Sequence, residues 1–158
     1  MKIGTINFLK VSVFIIGIIM ICFCIFALPS LADYSAKMNP EYAFLELPVL
    51  IGIYITAIPF FLSLFHALKL LNYIKSKSVF TELAVNSLKQ IKNSAISIIV
   101  LYVIGMFFLA FLNALHPGIA IIGIVIVFAT LVISVFTAVL QELLISAIKI
   151  KSENDLTV

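Results

Sequence analysis

Few side chains in this 158-residue chain could do chemistry, and the most prominent are His66, Gln141 and Glu142. His66 lies inside a long apolar run, and Gln141 and Glu142 end another one. Polar and ionisable residues are costly in apolar segments, so each of them suggests a functional role. A histidine beside a carboxylate can sense pH or gate a proton. We therefore predict a polar couple of His66 with Gln141 or Glu142, and the alternative is an ordinary polar contact at the helix ends.

The other reactive residues indicate no catalytic or metal site. Cys22 and Cys24 are two positions apart, a spacing that fits neither the CxxC redox motif nor a usual zinc pair. The sequence contains no glycine-rich phosphate loop, no HExxH motif and no plausible serine–histidine–aspartate arrangement. We expect no enzymatic activity, no catalytic residues, no cofactor and no bound metal.

The composition places these side chains in a membrane protein. Hydrophobic residues make up 64% of the chain and charged residues 11%, whereas soluble domains carry about 25% charged residues. A helix needs about 20 apolar residues to cross a bilayer. Lipid-exposed backbone must be hydrogen-bonded internally, and the apolar runs lack the alternation of a β-barrel. We predict an all-α integral membrane four-helix bundle with spans at residues 11–32, 47–71, 93–115 and 119–145.

The lysines predict the orientation of the spans. Nine of the ten lysines fall on one side if both termini are cytoplasmic, and cytoplasmic segments are enriched in lysine. We therefore predict both termini inside. A cleaved secretory signal ending near Ser30-Leu31-Ala32 is the alternative for the first span. Its apolar run is longer than the roughly 7–15 residues of a signal sequence, which favours an uncleaved anchor.

The connector at residues 72–92 predicts a helix that begins outside the membrane. Thr81 is the predicted N-cap, and Glu82 complements the positive end of the helix. Apolar residues then recur at helical spacing, so we expect the third helix to run unbroken into its span, with its first turns in the cytoplasm. This segment either shields the end of the bundle or docks a cytoplasmic partner. The candidate docking residues are Phe80, Thr81, Glu82, Leu88 and Ile91.

The second and fourth spans each carry a stripe of small and polar residues. Small residues let helices approach closely in a membrane, so we expect these two stripes to form the interior of the bundle. They would bring His66 and Gln141 or Glu142 to similar depth at the cytoplasmic end. Pro59 predicts a kink in the second span. The hydroxyl of Tyr54 needs a hydrogen-bond partner, and we expect Ser or Thr on a neighbouring helix. The stripes are Gly52, Thr56, Pro59, Ser63, His66 and Ala67, and Gly123, Thr130, Ser134, Ala138 and Gln141.

Three segments together resemble a known family. They are Ile58-Pro59-Phe60-Phe61, then Phe80-Thr81-Glu82 with Leu88 and Ile91, and the ending Lys151-Ser152-Glu153-Asn154-Asp155-Leu156-Thr157-Val158. The sequence resembles the small four-span bacterial membrane proteins catalogued as domain of unknown function 2975. The resemblance implies a location in the bacterial inner membrane and a gene commonly adjacent to one for a small helix-turn-helix regulator. It implies no established catalytic residues.

Two functions fit these observations. The first is a regulatory or sensor protein that engages a cytoplasmic helix-turn-helix transcription regulator through the connector and the tail at residues 149–158. The last part of the tail, residues 153–158, is expected to be disordered by itself or to bind a partner. The second is a small transporter or channel subunit, or an accessory protein for peptide immunity, which would need a homo-oligomer to form a pore. The sequence contains no arginine, and aromatic residues are not interleaved with its lysines. We therefore expect the lysines to contact anionic lipid and not to bind nucleic acid directly.

Overall fold

The computed structural model describes residues 2–156, except the side chain of Asp155, and this part of the chain contains helices but no strands. Four helical segments are long and apolar enough to cross a membrane: Ile3–Met38, Pro40–Lys75, Glu82–Phe111 and Pro117–Asn154. The predicted all-α class with four spans is therefore confirmed. The elements in chain order are α1 (Ile3–Cys22), a π-helical turn (Phe23–Ala27), α2 (Leu28–Met38), a 3₁₀ segment (Pro40–Leu45), α3 (Glu46–Lys75), α4 (Glu82–Phe111) and α5 (Pro117–Leu156).

The helices pack mainly on their neighbours in the chain. α1 and α2 contact α3, α3 contacts α4, and α4 contacts α5. Within residues 2–156 no substantial contact joins α3 and α5, so the stripes of the second and fourth spans do not pack on each other. Instead α4 packs on both of them. Small residues allow close approach without specifying which helix approaches.

The first span is a continuous helical segment that contains one π-helical turn. The N–H of Leu28 donates to the carbonyl of Phe23, five residues earlier, as in a π-helix. The next donor in that pattern would be residue 29, which is a proline without an N–H. The carbonyl of Cys24 thus loses its π-type donor, and the hydroxyl of Tyr54 on α3 donates to it at 2.8 Å. The expected Ser or Thr partner of Tyr54 is wrong, since a backbone carbonyl accepts this bond.

Non-glycine residues in the left-handed conformation end α3 and α4. Lys77 has φ 58° and Asn113 has φ 55°. After each of them an N–H reaches back five residues, from Ser78 to the carbonyl of Tyr73 and from Ala114 to that of Leu109. These bonds satisfy carbonyls at the helix end as in a Schellman motif. α4 consequently ends four residues before the predicted limit of the third span.

The contact between α4 and α5 is close. A Cβ added at Gly123 on α5 would lie 2.6 Å from the sulfur of Met106 on α4, so the absent side chain makes room for the methionine. Ser134 and Thr137 of α5 are also buried. Part of the polar stripe predicted in the fourth span is therefore internal, and the neighbour of α5 there is α4.

Two further predictions concern the course of the helices. α3 continues through Pro59, which lies within the helix, and the predicted kink at this residue stays a prediction. α5 is helical as far as Leu156, so the disorder expected for residues 153–158 is wrong for residues 153–156. Residues 157 and 158 lie outside the described part of the chain.

Candidate functional site

Two hydrogen bonds between distant segments show which parts of the chain lie together at each end of the molecule. At one end the Tyr42 hydroxyl donates to the carbonyl of Asn113 at 3.0 Å, which joins the loop before α3 to the loop before α5. At the other end the Lys10 ammonium donates to the side chain of Asn72. The start of α1 therefore lies beside the end of α3, at the end that carries most of the lysines.

Gln141 has a hydrogen-bond partner that sequence reasoning did not select. The Lys92 ammonium donates to the Gln141 Oε1 atom at 3.0 Å, and the pair is partly buried. Lys92 is on α4 and Gln141 on α5, so the bond ties the two helices where the predicted fourth span approaches its end. A lysine near a span end can direct its ammonium towards the interface while its stem stays on apolar surface.

His66 makes no hydrogen bond to Gln141 or Glu142 within the described residues. Within residues 2–156 the His66 Nδ1 atom is buried and has no hydrogen-bond partner. The His66 ring makes an edge contact with the neighbouring ring of Phe65, 5.6 Å between centroids, and the Lys69 ammonium lies 4.6 Å from the Phe65 ring. Glu142 is exposed on α5. A role of this couple in proton chemistry stays a prediction.

The predicted docking residues divide between the surface and the interior. Phe80 is 47% exposed and Leu88 is 5% exposed; Glu82 is exposed, and Thr81 and Ile91 are half-buried. Leu88 belongs to the internal packing and is not accessible to a partner in this conformation. Among the predicted docking residues, those that a partner could reach most easily are therefore Phe80 and Glu82.

Thr81 occupies the predicted N-cap position, but its side chain makes no capping hydrogen bond. Its backbone is extended, and its carbonyl accepts the N–H groups of Ala84 and Val85. Its hydroxyl donates to the carbonyl of Ser78 at 2.8 Å and so stabilises the preceding turn. The predicted start of the helix near Thr81 is confirmed, since α4 begins at Glu82.

Two grooves flank the contact between the start of α4 and the end of α5. In the first, the Lys151 ammonium lies 5.9 Å from the centre of the Phe80 ring. The first groove, called here the Phe80 groove, is lined by Phe80, Ala147, Ile150, Lys151 and Asn154. The second groove is lined by Glu82, Val85, Asn86, Lys89, Ile145 and Ile148.

The described residues offer no metal site. Within residues 2–156 no three histidine, cysteine, aspartate or glutamate side chains lie close enough together to hold a metal ion. Cys22 and Cys24 are free thiols in the first span, the former exposed and the latter half-buried. The grooves at the lysine-rich end are therefore the arrangement on which we base a function.

Comparisons with known proteins identify the class and then the family. The uncharacterized membrane protein YoaS of Bacillus subtilis (strain 168) is 49% identical over 153 residues, which cover 96% of each chain. The chain is thus similar throughout its length to a membrane protein. The family model described as "Protein of unknown function (DUF2975)" matches residues 30–158, and the chain belongs to this family. No solved structure matches it.

Proposed function

We propose that the protein is a non-enzymatic regulator of the bacterial cytoplasmic membrane. In this proposal both termini are cytoplasmic, and the protein holds a small helix-turn-helix transcription regulator at the membrane and releases it on a membrane signal. The lysine distribution supports the orientation, because the lysine-rich end contains the start of α1, the end of α5 and the connector between α3 and α4. The family resemblance supports the choice of partner.

The observation that carries the proposal is a helix pair at the lysine-rich end. We call residues 82–92 of α4 and 142–156 of α5 the projecting pair. α5 continues from Glu142 to Leu156 for about 22 Å at about 1.5 Å per residue. Charges return at Glu142 and Lys92, so the projecting pair begins where the charge-free runs end.

The projecting pair contains some of the most tightly packed residues of the molecule. Ala84 is 0% exposed, Ser87 2% and Leu88 5%. A helix that leaves the membrane loses the lipid around its apolar side chains and must bury part of them against protein. Packing of this kind gives the pair a fixed shape, which a specific binding surface requires.

The decisive experiment is reciprocal co-purification in detergent. The membrane protein and the helix-turn-helix regulator encoded beside its gene are tagged in turn, and each is tested for recovery of the other. We expect recovery in both directions and altered expression from the regulator's target promoter after deletion of the membrane protein. Absence of association with either tag contradicts the proposal, and solute flux into liposomes would favour the transport alternative.

A further inference from the structure

The Phe80 groove has the composition of a binding site for an amphipathic helix. Its floor and walls are largely apolar, and two large side chains are open to solvent: Phe80 is 47% exposed and Ile150 60%. Among the described side chains, which do not include that of Asp155, Lys151 is the only charged one that lines the groove. Its ammonium lies 5.9 Å from the centre of the Phe80 ring.

We propose that the Phe80 groove binds an acidic amphipathic helix of a cytoplasmic protein. Apolar residues of that helix at positions i, i+3 and i+7 would cover Phe80, Ala147 and Ile150. A carboxylate at its edge would pair with Lys151, which gains a stronger partner than the aromatic ring. The inference rests on the proposed function and specifies which surface binds the regulator and which chemistry the bound segment has.

The position of the groove favours protein over lipid as its occupant. Along α5, Ile150 lies about 12 Å beyond Glu142, at about 1.5 Å per residue. The headgroup layer adds only about 5–8 Å to each side of the hydrocarbon core. With the boundary of the hydrocarbon core at Glu142, where charge returns, Phe80 and Ile150 lie beyond the headgroup layer. An exposed apolar surface rimmed by polar groups is typical of a protein-binding site.

The charge of the groove favours a different protein over a second copy of this chain. In two copies of the chain in one membrane, the projecting pairs extend from the same side. Symmetric contact through this groove would therefore bring Lys151 of one copy towards Lys151 of the other. Lys149, which is also exposed, would add to the repulsion. Like charges brought together at an interface are unfavourable, whereas a carboxylate beside Lys151 is complementary.

Site-specific photocrosslinking in cells tests this inference. A photoreactive phenylalanine analogue is placed at Ile150, and the matched control carries it at Leu83. Both residues are about equally exposed, at 60% and 62%, but Leu83 does not line the Phe80 groove. We expect the product at Ile150 to contain an acidic amphipathic segment of the regulator, identified by mass spectrometry, and the yield at Leu83 to be several times lower.

Two results of the crosslinking would overturn the inference. They are products that contain only lipid or a second copy of the chain, and equal yields at the two positions. If the regulator still co-purifies in either case, the proposed function stands and only the assignment of the groove fails. If the regulator does not associate at all, both fail.

A charge exchange supplies a second test that does not depend on crosslinking yield. The identified segment is synthesised as a peptide and titrated against the purified protein. We expect Lys151→Glu to weaken binding by about tenfold, since opposite charges become like charges, and a peptide with lysine in place of the paired acid to restore it. The control Lys149→Glu changes the same charge outside the groove. Equal losses for both variants, without rescue, would contradict a specific pair at Lys151.

Discussion

The first helix and the projecting pair differ in how many of their residues are buried against protein. α1 buries only Ile6 among its 20 residues, whereas the part of α4 in the projecting pair buries three of its eleven residues, Ala84, Ser87 and Leu88. Lipid solvates the apolar side chains of a span, so α1 needs little protein contact. In the proposed arrangement water surrounds the projecting pair, and water does not solvate apolar side chains favourably, so its two helices pack on each other.

The packed region should be the most sensitive to added volume. We expect Ala84→Leu to destabilise the detergent-solubilised protein by about 2 kcal/mol, within the range for overpacking a filled interior, because Ala84 is completely buried. Thermal unfolding followed by circular dichroism measures the effect. The control Ala129→Leu adds the same atoms at an exposed position of α5 and should cost much less. Equal shifts would remove the distinction between the two regions.

A smaller effect is expected at the close approach of α4 and α5. Gly123→Ala places a methyl group against the Met106 sulfur, and we expect a loss of about 1 kcal/mol, at the lower end of overpacking costs because the methionine end is flexible. Gly52→Ala is the control, since a Cβ there meets no atom within 4 Å. Met106→Ala should abolish the penalty of Gly123→Ala. A penalty that persists in the double variant would contradict this contact as its cause.

The smallest effect is expected where the first span is tied to α3. Tyr54→Phe removes the donor to the Cys24 carbonyl, and interhelical hydrogen bonds in membranes contribute about 0.6 kcal/mol. Hydrogen exchange in residues 22–30 should increase in this variant, and Tyr102→Phe serves as the control.

The same bond can be tested through Pro29. Pro29→Ala restores an N–H to the helix, so the Cys24 carbonyl has an alternative donor and Tyr54→Phe should then cost less. A double-mutant cycle measures this coupling. If the two changes are additive, Pro29 is not the reason that Tyr54 is needed.

The sequence predicted the four helical spans and the start of α4, because each of them depends on a single local or solvent constraint. Lipid excludes charge and unpaired backbone groups, so the charge-free runs revealed four helical spans. Phe80, Thr81 and Glu82 predicted the start of α4, because local capping preferences act within a few residues. These predictions did not depend on which helices meet.

Helix pairing could not be predicted in the same way. The stripe with Gly123 and Ser134 correctly indicated close packing of the fourth span, but many helix faces accept a small residue, and the partner is α4. The π-helical turn was missed as well. Its signal was the proline at position 29 together with a tyrosine hydroxyl in the next span, and sequence reasoning considered only Pro59 as a source of helix distortion.

The most direct test of the central claim is cysteine labelling with a membrane-impermeant maleimide. In a protein whose Cys22 and Cys24 are replaced by serine, single cysteines replace Asn86 in the projecting pair and Glu41 at the opposite end; both positions are exposed. We predict that Asn86→Cys is labelled in inverted membrane vesicles but not in intact spheroplasts, and that Glu41→Cys shows the reverse. Labelling of Asn86→Cys in intact spheroplasts would contradict a projecting pair that meets a cytoplasmic regulator.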